Sequence, residues 1–206
     1  MGILRAVLYI HVPKCGGTSI SSVCRDNGIL IDTTNNDHTK CNIEHNTNLY
    51  KSVDDFSDIK FSFSFVRNPY SRLVSAWKCP WVCGIELSTG WISLFSDFKD
   101  FITEFVVKQS EWDVWSWSHV MSFTDPRRKL FDTEGNQLLS FIGRFENLQK
   151  DFDLVCEQVG IPKQQLPHLN KTDHKHYTEY YDDETKDIVS EIYAKDIEYF
   201  DYKFGE

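Results

Sequence analysis

The sequence predicts an α/β protein built on a mostly parallel sheet, and three observations carry that prediction. A short apolar run, 6-AVLYIHV-12, stops at a proline and gives way to paired glycines and a helix-like pattern. A second strand-like run, 61-FSFSFV-66, is likewise followed by Asn-Pro and by apolar residues at helical spacing in 70-YSRLVSAW-77. Further helical patterns downstream keep strands alternating with helices, the order that produces parallel pairing.

Residues 6–12 read as a buried strand and 17–27 as a helix. Residues 30–58 are rich in Asn, Asp and Thr, with few apolar residues before Phe56, and form the most loop-like part of the chain. After the strand at 61–66 and the helix at 70–77, the segment 97-DFKDFITEFVVK-108 is an amphipathic helix with Asp97 at its start. Residues 121–145 read as short strands around turns at Asp125-Pro126 and Glu134-Gly135-Asn136. Two more helices are expected over 147–159 and 183–197.

At 206 residues the chain is long enough for one domain with a real core, so a single domain over 1–206 is expected. Hydrophobic content of 41% and aromatic content of 15% exclude general disorder. A formal net charge of −9 argues against nucleic acid or an anionic membrane as partner, since both need a basic face. An anion bound here must be held by a few placed cations. The first residues, MGILRAVLYIHV, are too short an apolar run to span a bilayer and lead into no signal-cleavage pattern. Ala6 also removes the Ser/Thr of a myristoylation signal. A cytoplasmic protein with no integral membrane segment is expected, and its six cysteines, which show no regular framework, are expected as thiols.

The chemistry concentrates at 13-PKCGGTS-19. A strand that runs into a glycine turn and opens a helix aims backbone N–H groups and the helix's positive end at one spot, which suits a phosphate. Gly16 and Gly17 permit close backbone approach, Thr18 and Ser19 add hydroxyls, and Lys14 adds charge. The lysine precedes the glycines, unlike GxxxxGK[ST], and the segment also admits reading as an ordinary helix N-terminus. A second segment, 67-RNPYSRLVSAW-77, puts Arg67 at the carboxyl end of a strand, where open α/β sheets bind ligands, with Ser75 on the following helix. Taken alone, Arg67 and Arg72 also admit reading as surface charges.

HVPKCGGTSI and FVRNPYSRLVSAW together resemble the 5′-phosphosulfate and 3′-phosphate segments of sulfotransferases that use 3′-phosphoadenosine 5′-phosphosulfate (PAPS). The resemblance is closest to the carbohydrate-type family that includes heparan 2-O- and chondroitin sulfotransferases. It extends to 142-IGRFENLQKDFDLVC-156 and 166–204, runs from about residue 7 to the end, and is weakest over 79–140. It implies a three-layer sandwich around a mostly parallel sheet, of the P-loop-NTPase-like sulfotransferase type. It also implies in-line transfer of a sulfuryl group from PAPS to an acceptor hydroxyl, a carbohydrate first of all, without a metal. Carried over, the loop Lys14, Cys15, Gly16, Gly17, Thr18 and Ser19 holds the 5′-phosphosulfate, with Cys15 a spacer, and Arg67 with Ser75 holds the 3′-phosphate. Lys14 stands beside the bridging oxygen of the leaving phosphate. A Golgi-lumen location follows only if an anchor precedes this chain.

The family's histidine base lies between the two phosphate segments, where His45 is the first choice and His38 a third. His119 is the second choice, although the His-x-x-x-Gln pattern of many relatives is absent, Phe123 standing four residues after it. Trp115 and Trp117 are candidates for stacking on an acceptor sugar, or for a core cluster. Lys171 and His174 are candidates for a solvated loop or for donor contacts, and Arg144 with Glu146 is expected as a buried ion pair. Three other readings compete. His38, Cys41 and His45, or Cys79 and Cys83, present zinc-type ligands at uncommon spacings. A P-loop-type small-molecule kinase shares the architecture but lacks an evident Mg²⁺-binding Asp. An inactive nucleotide- or glycan-binding module keeps the loop without the chemistry.

Overall fold

The computed structural model describes residues 7–32, 50–51, 58–78, 81–82, 85–86, 95, 97–108, 118–167 and 175–206. The first apolar run forms strand β1 (Val7–Ile10), every residue of it buried. It is followed by β2 (Leu30–Asp32), β3 (Tyr50–Lys51), β4 (Phe61–Val66), a β5–β6 pair (Trp81–Val82 and Ile85–Glu86) and β7 (Phe141–Arg144). Five of these build one sheet in the order β3-β2-β1-β4-β7, and every pairing in it is parallel. The α/β class with a central parallel sheet flanked by helices is therefore observed.

The chain divides into two compact units, Met1–Val66 with Asp125–Lys171, and Arg67–Thr124 with Thr172–Glu206. The first unit holds the five-stranded sheet, helix α1 (Gly17–Asp26) and the later helix Leu148–Val159. From β1 the chain passes through α1 to β2 on one side, then returns at β4 on the other, so the direction of strand order reverses at β1. In such sheets ligands bind outside the carboxyl ends of the strands at the reversal. Both β1 neighbours are in register, Tyr9 opposite Ile31 on one side and Phe63 on the other.

The alternating Phe and Ser of β4 do not divide a core face from a wet face. Phe63 and Phe65 are fully buried, each such side chain contributing about 2–3 kcal/mol by leaving water, and Ser62 and Ser64 are buried as well. An interior strand flanked on both sides has no wet face, so its serines need partners. Ser64 Oγ donates to Ile10 O at 2.8 Å, and Ser62 and Ser140 exchange backbone-to-hydroxyl bonds at 3.1 and 3.2 Å. The loop-like stretch 30–58 includes the short strands β2 and β3. Of the strands expected over 121–145 only β7 is one. The rest is a 3-10 turn at Pro126–Arg128 and a turn at 132–135 closed by a bridge between Phe131 and Gln137. Asp132 shapes that turn by accepting from Glu134 N and Asn136 N at 2.9 and 2.8 Å.

The second unit contains α2 (Pro69–Trp77), α3 (Phe98–Asp100), the β5–β6 pair, and two helices near the carboxyl end. With Leu148–Val159 numbered α4, these are α5 (Asp183–Ile192) and α6 (Ala194–Phe200). The single helix expected over 97–108 is a short α turn continued by π-helical Phe101–Val106. The wider turn lets Phe101, Ile102, Phe105 and Val106 all face the core, with Phe101 and Phe105 stacked at 5.4 Å. The single helix expected over 183–197 breaks at Tyr193, whose buried ring and hydroxyl, donating to Val120 O, take it out of helical geometry. Asp182 caps α5 in a capping box with Thr185.

Candidate functional site

At the end of β1, Lys14 adopts a left-handed backbone with φ 67°, and Gly16 follows with φ 81°. The left-handed region costs a residue with a side chain about 1–2 kcal/mol, so the surrounding structure must hold Lys14 there. Gly16 is the N-cap of α1 and its carbonyl accepts the first helical bond, from Ile20 N at 3.2 Å. The N–H groups ahead of Ile20 therefore point out of the helix end. The N-cap of α1, Gly16, has no side chain with which to make a capping bond, and the first turn holds no acidic residue, so the positive end of the helix dipole suits an anion. By contrast α2, α3 and α5 are capped by Asn68, Asp97 and Asp182.

Both glycines are crowded from the side. A methyl group on Gly16 would lie 2.9 Å from Leu148 Cδ2, and one on Gly17 would lie 2.0 Å from His11 Nε2. At Gly16 the Leu148 tip could shift, and the left-handed φ is what favours glycine, whereas at Gly17 the His11 ring fills the place of a side chain. Lys14 and Gly16 are half-buried and Thr18 is exposed, while Cys15, Gly17 and Ser19 are buried. Accessible surface alternates along the loop, with Lys14, Gly16 and Thr18 forming its open side. The thiol of Cys15 is closed off in the core.

Arg67 directly follows the last residue of β4, the strand beside β1 in the sheet. Its Nε donates to Ser71 Oγ at 2.8 Å, which fixes the direction of the guanidinium. Ser75 is half-buried one turn beyond Ser71 on α2. Ser71 escaped the sequence reading, though its place four residues after Arg67 and four before Ser75 was a usable signal. Asn68 accepts from Tyr70 N at 3.1 Å, and Pro69 starts the helix without needing a donor.

Arg72 is not a surface charge. It is fully buried, donates from Nη2 to Val120 O at 3.2 Å, and lies over the Phe123 ring at 4.2 Å. Glu146 is exposed and Arg144 half-buried, so the two side chains are not buried as expected. Arg144 N donates to Asp151 at 2.7 Å.

His119 is 7% exposed and sits just before Val120, whose carbonyl accepts from both Arg72 and Tyr193. The next turn is organised by Asp196. This fully buried carboxylate accepts from Ser122 Oγ, Phe123 N, Thr124 N and Thr124 Oγ1 at 2.6, 2.8, 2.9 and 3.0 Å. His38 and His45 lie outside the described residues, as do Cys41, Cys79, Cys83, Trp115, Trp117, Lys171 and His174. Among the described residues no group of three or more His, Cys, Asp or Glu side chains is placed to hold a metal ion. No described helix is long and apolar enough to cross a membrane.

A parallel sheet whose central strand leads through a glycine turn into the start of a helix is an α/β arrangement suited to holding an anion such as phosphate. The sulfotransferase family is the particular case: its family model matches residues 5–203, across both units, and the chain belongs to that family. Neither a curated protein nor a solved structure matches the chain. Membership makes it a sulfate-transferring enzyme of a family that generally uses PAPS as donor.

Proposed function

We propose that this chain transfers a sulfuryl group from PAPS to a hydroxyl of an acceptor, with carbohydrate as the acceptor class. The observation that carries the reading is the loop: Lys14 and Gly16 in a left-handed backbone, Gly17 under the His11 ring, and a helix start with a glycine N-cap and no acid in its first turn. PAPS supplies an activated sulfuryl group whose departure leaves negative charge on a phosphate oxygen. Lys14 puts its ammonium where that charge grows, and a charge met mainly in the transition state raises turnover more than affinity. The N–H groups of Gly16, Gly17, Thr18 and Ser19, spaced by Cys15, bind the phosphosulfate through backbone and helix dipole. Arg67, aimed by Ser71, and Ser75 bind the 3′-phosphate, the group that separates PAPS from ATP.

His45 is the proposed base that takes the acceptor's proton. His38 stands behind it, and so does His119, whose burial leaves a small edge for an acceptor. The whole of 1–206 works as one sulfotransferase domain, which the family match across both units supports.

The test compares thermal stabilisation by PAP, the product nucleotide, with that by ATP and magnesium. Stabilisation by PAP without comparable stabilisation by ATP–Mg is expected, followed by sulfate transfer to one member of a sugar panel. Stabilisation by ATP–Mg alone would instead support a kinase. Lys14→Ala is expected to lose about 10²–10³-fold in turnover, as when a transition-state donor is removed, while PAP still binds. Full turnover in that variant rejects the role of Lys14.

A further inference from the structure

Gly17 is a glycine without a backbone reason to be one. Its φ is not positive, and it is the first residue of α1, where the backbone itself admits a side chain. The reason lies in a neighbour. A Cβ on Gly17 would meet three atoms of the His11 ring, Nε2 at 2.0 Å, Cδ2 at 2.3 Å and Cε1 at 3.0 Å. The imidazole thus occupies the place of the missing side chain.

The ring is backed from below. His11 stacks on Tyr9 with centroids 6.0 Å apart and planes 20° apart, and Tyr9 stacks on Phe63 at 5.1 Å and 26°. Tyr9 and Phe63 are fully buried, on adjacent strands β1 and β4. A column of three rings therefore rises from the sheet core and ends on the first residue of the helix whose N–H groups form the cradle. A two-torsion side chain backed by such a column resists displacement better than a long flexible one.

We propose that His11 is a positioning residue of the donor loop: its imidazole, backed by Tyr9, fixes the first turn of α1 against the end of β1 and so sets the cradle for the phosphosulfate. The proposal rests on the PAPS reading of the site. His11 acts through Gly17, and its loss changes how well the cradle is formed, not the chemistry at the leaving oxygen.

The contact makes a reciprocal test available, because an alanine methyl at 17 fits only when the ring is gone. PAP binding to the full chain is measured by calorimetry for Gly17→Ala, His11→Ala and the double variant, alongside ligand-free unfolding midpoints. Gly17→Ala is expected to weaken PAP by about tenfold or more through overpacking. His11→Ala alone weakens it less, and the double variant recovers most of the loss of Gly17→Ala. In steady state His11→Ala raises KM for PAPS and leaves kcat within about twofold, since ground and transition states lose the same binding. The proposal is overturned if the double variant is as weak as Gly17→Ala, if Gly17→Ala binds like the wild type, or if His11→Ala lowers kcat at unchanged KM. If the wild type itself fails to bind PAP, the donor reading fails first. The unfolding midpoints then decide the ring contact: loss in Gly17→Ala with recovery in the double variant supports it, and no recovery overturns it.

Discussion

Asp196 offers the most direct test of how the second unit is held together. It sits in the first turn of α6, has no exposed surface, and accepts four hydrogen bonds from residues 122–124. Three of them converge on Oδ1 and one, from Phe123 N, on Oδ2. Asp196→Asn keeps shape and volume but accepts at one edge only. In its better orientation it faces Phe123 N–H with an NH₂, so one buried backbone donor loses its acceptor and the other three bonds lose their charge. Hydrogen bonds to a charged group contribute about 1.5–3 kcal/mol, against about 1 for neutral pairs, which puts the loss at about 2–4 kcal/mol. Asp196→Ala leaves no acceptor and is expected to lose about 3–5 kcal/mol. For a chain of this length these losses lower Tm by about 5–15 °C. The assay is urea unfolding followed by tryptophan fluorescence, with Trp77 buried in the same unit. An Asp196→Asn midpoint within about 0.5 kcal/mol of wild type would refute the reasoning, because surface-like changes fall in that range.

Ser71→Ala frees Arg67 Nε and is expected to weaken PAP by about threefold to tenfold, less than Arg67→Ala; PAP affinity equal to wild type would show that Ser71 does not aim the guanidinium. Tyr9 Oη is buried with no hydrogen-bond partner among the described residues, and burial, with Cys24 and Cys15 nearby, pushes its phenol well above the ordinary range. Tyr9→Phe keeps the ring column and is expected to equal or exceed the wild type in stability by about 1 kcal/mol, so a measured loss of that size would reveal a bond to the hydroxyl. The Thr185 backbone N–H and hydroxyl, with Lys99, hold Asp182 down to about 2. Its folded pKa lies below the unfolded value of about 3.9, so its contribution to α5 is complete above that pH and is lost as pH falls through about 2. Asp182→Asn, which caps without titrating, should flatten the unfolding midpoint between pH 4 and pH 2 relative to wild type; an unchanged profile would count against the cap.

The strand–loop–helix of residues 7–26 was legible because everything that makes it is local. Apolar continuity makes β1, glycine makes the turn, and the amphipathic spacing of Ile20, Val23 and Cys24 makes α1. The same holds for β4, α2 and α4, whose observed limits fall within a residue of the expected ones. Reading failed where a helix had to satisfy a distant neighbour. Nothing local announces that Tyr193 interrupts a helix to reach Val120, 73 residues away in the chain. Arg72 looks like a surface charge in a helical heptad, and only the aromatic rings around it and the Val120 carbonyl explain its burial.

Sequence alone determined the class of the protein and the glycine loop after β1, since apolar runs, paired glycines and turn residues act at short range. Tertiary structure decided which side chains hold that loop in shape. Ser64 ties β4 to the end of β1 across 54 residues, and the His11 ring occupies the place a Cβ on Gly17 would take. Asp196 gathers residues 72 to 74 positions away. The physical reason is that hydrogen-bond and packing partners are chosen by proximity after folding. Periodicity along the chain reports only which face of each element is buried, not what it meets there.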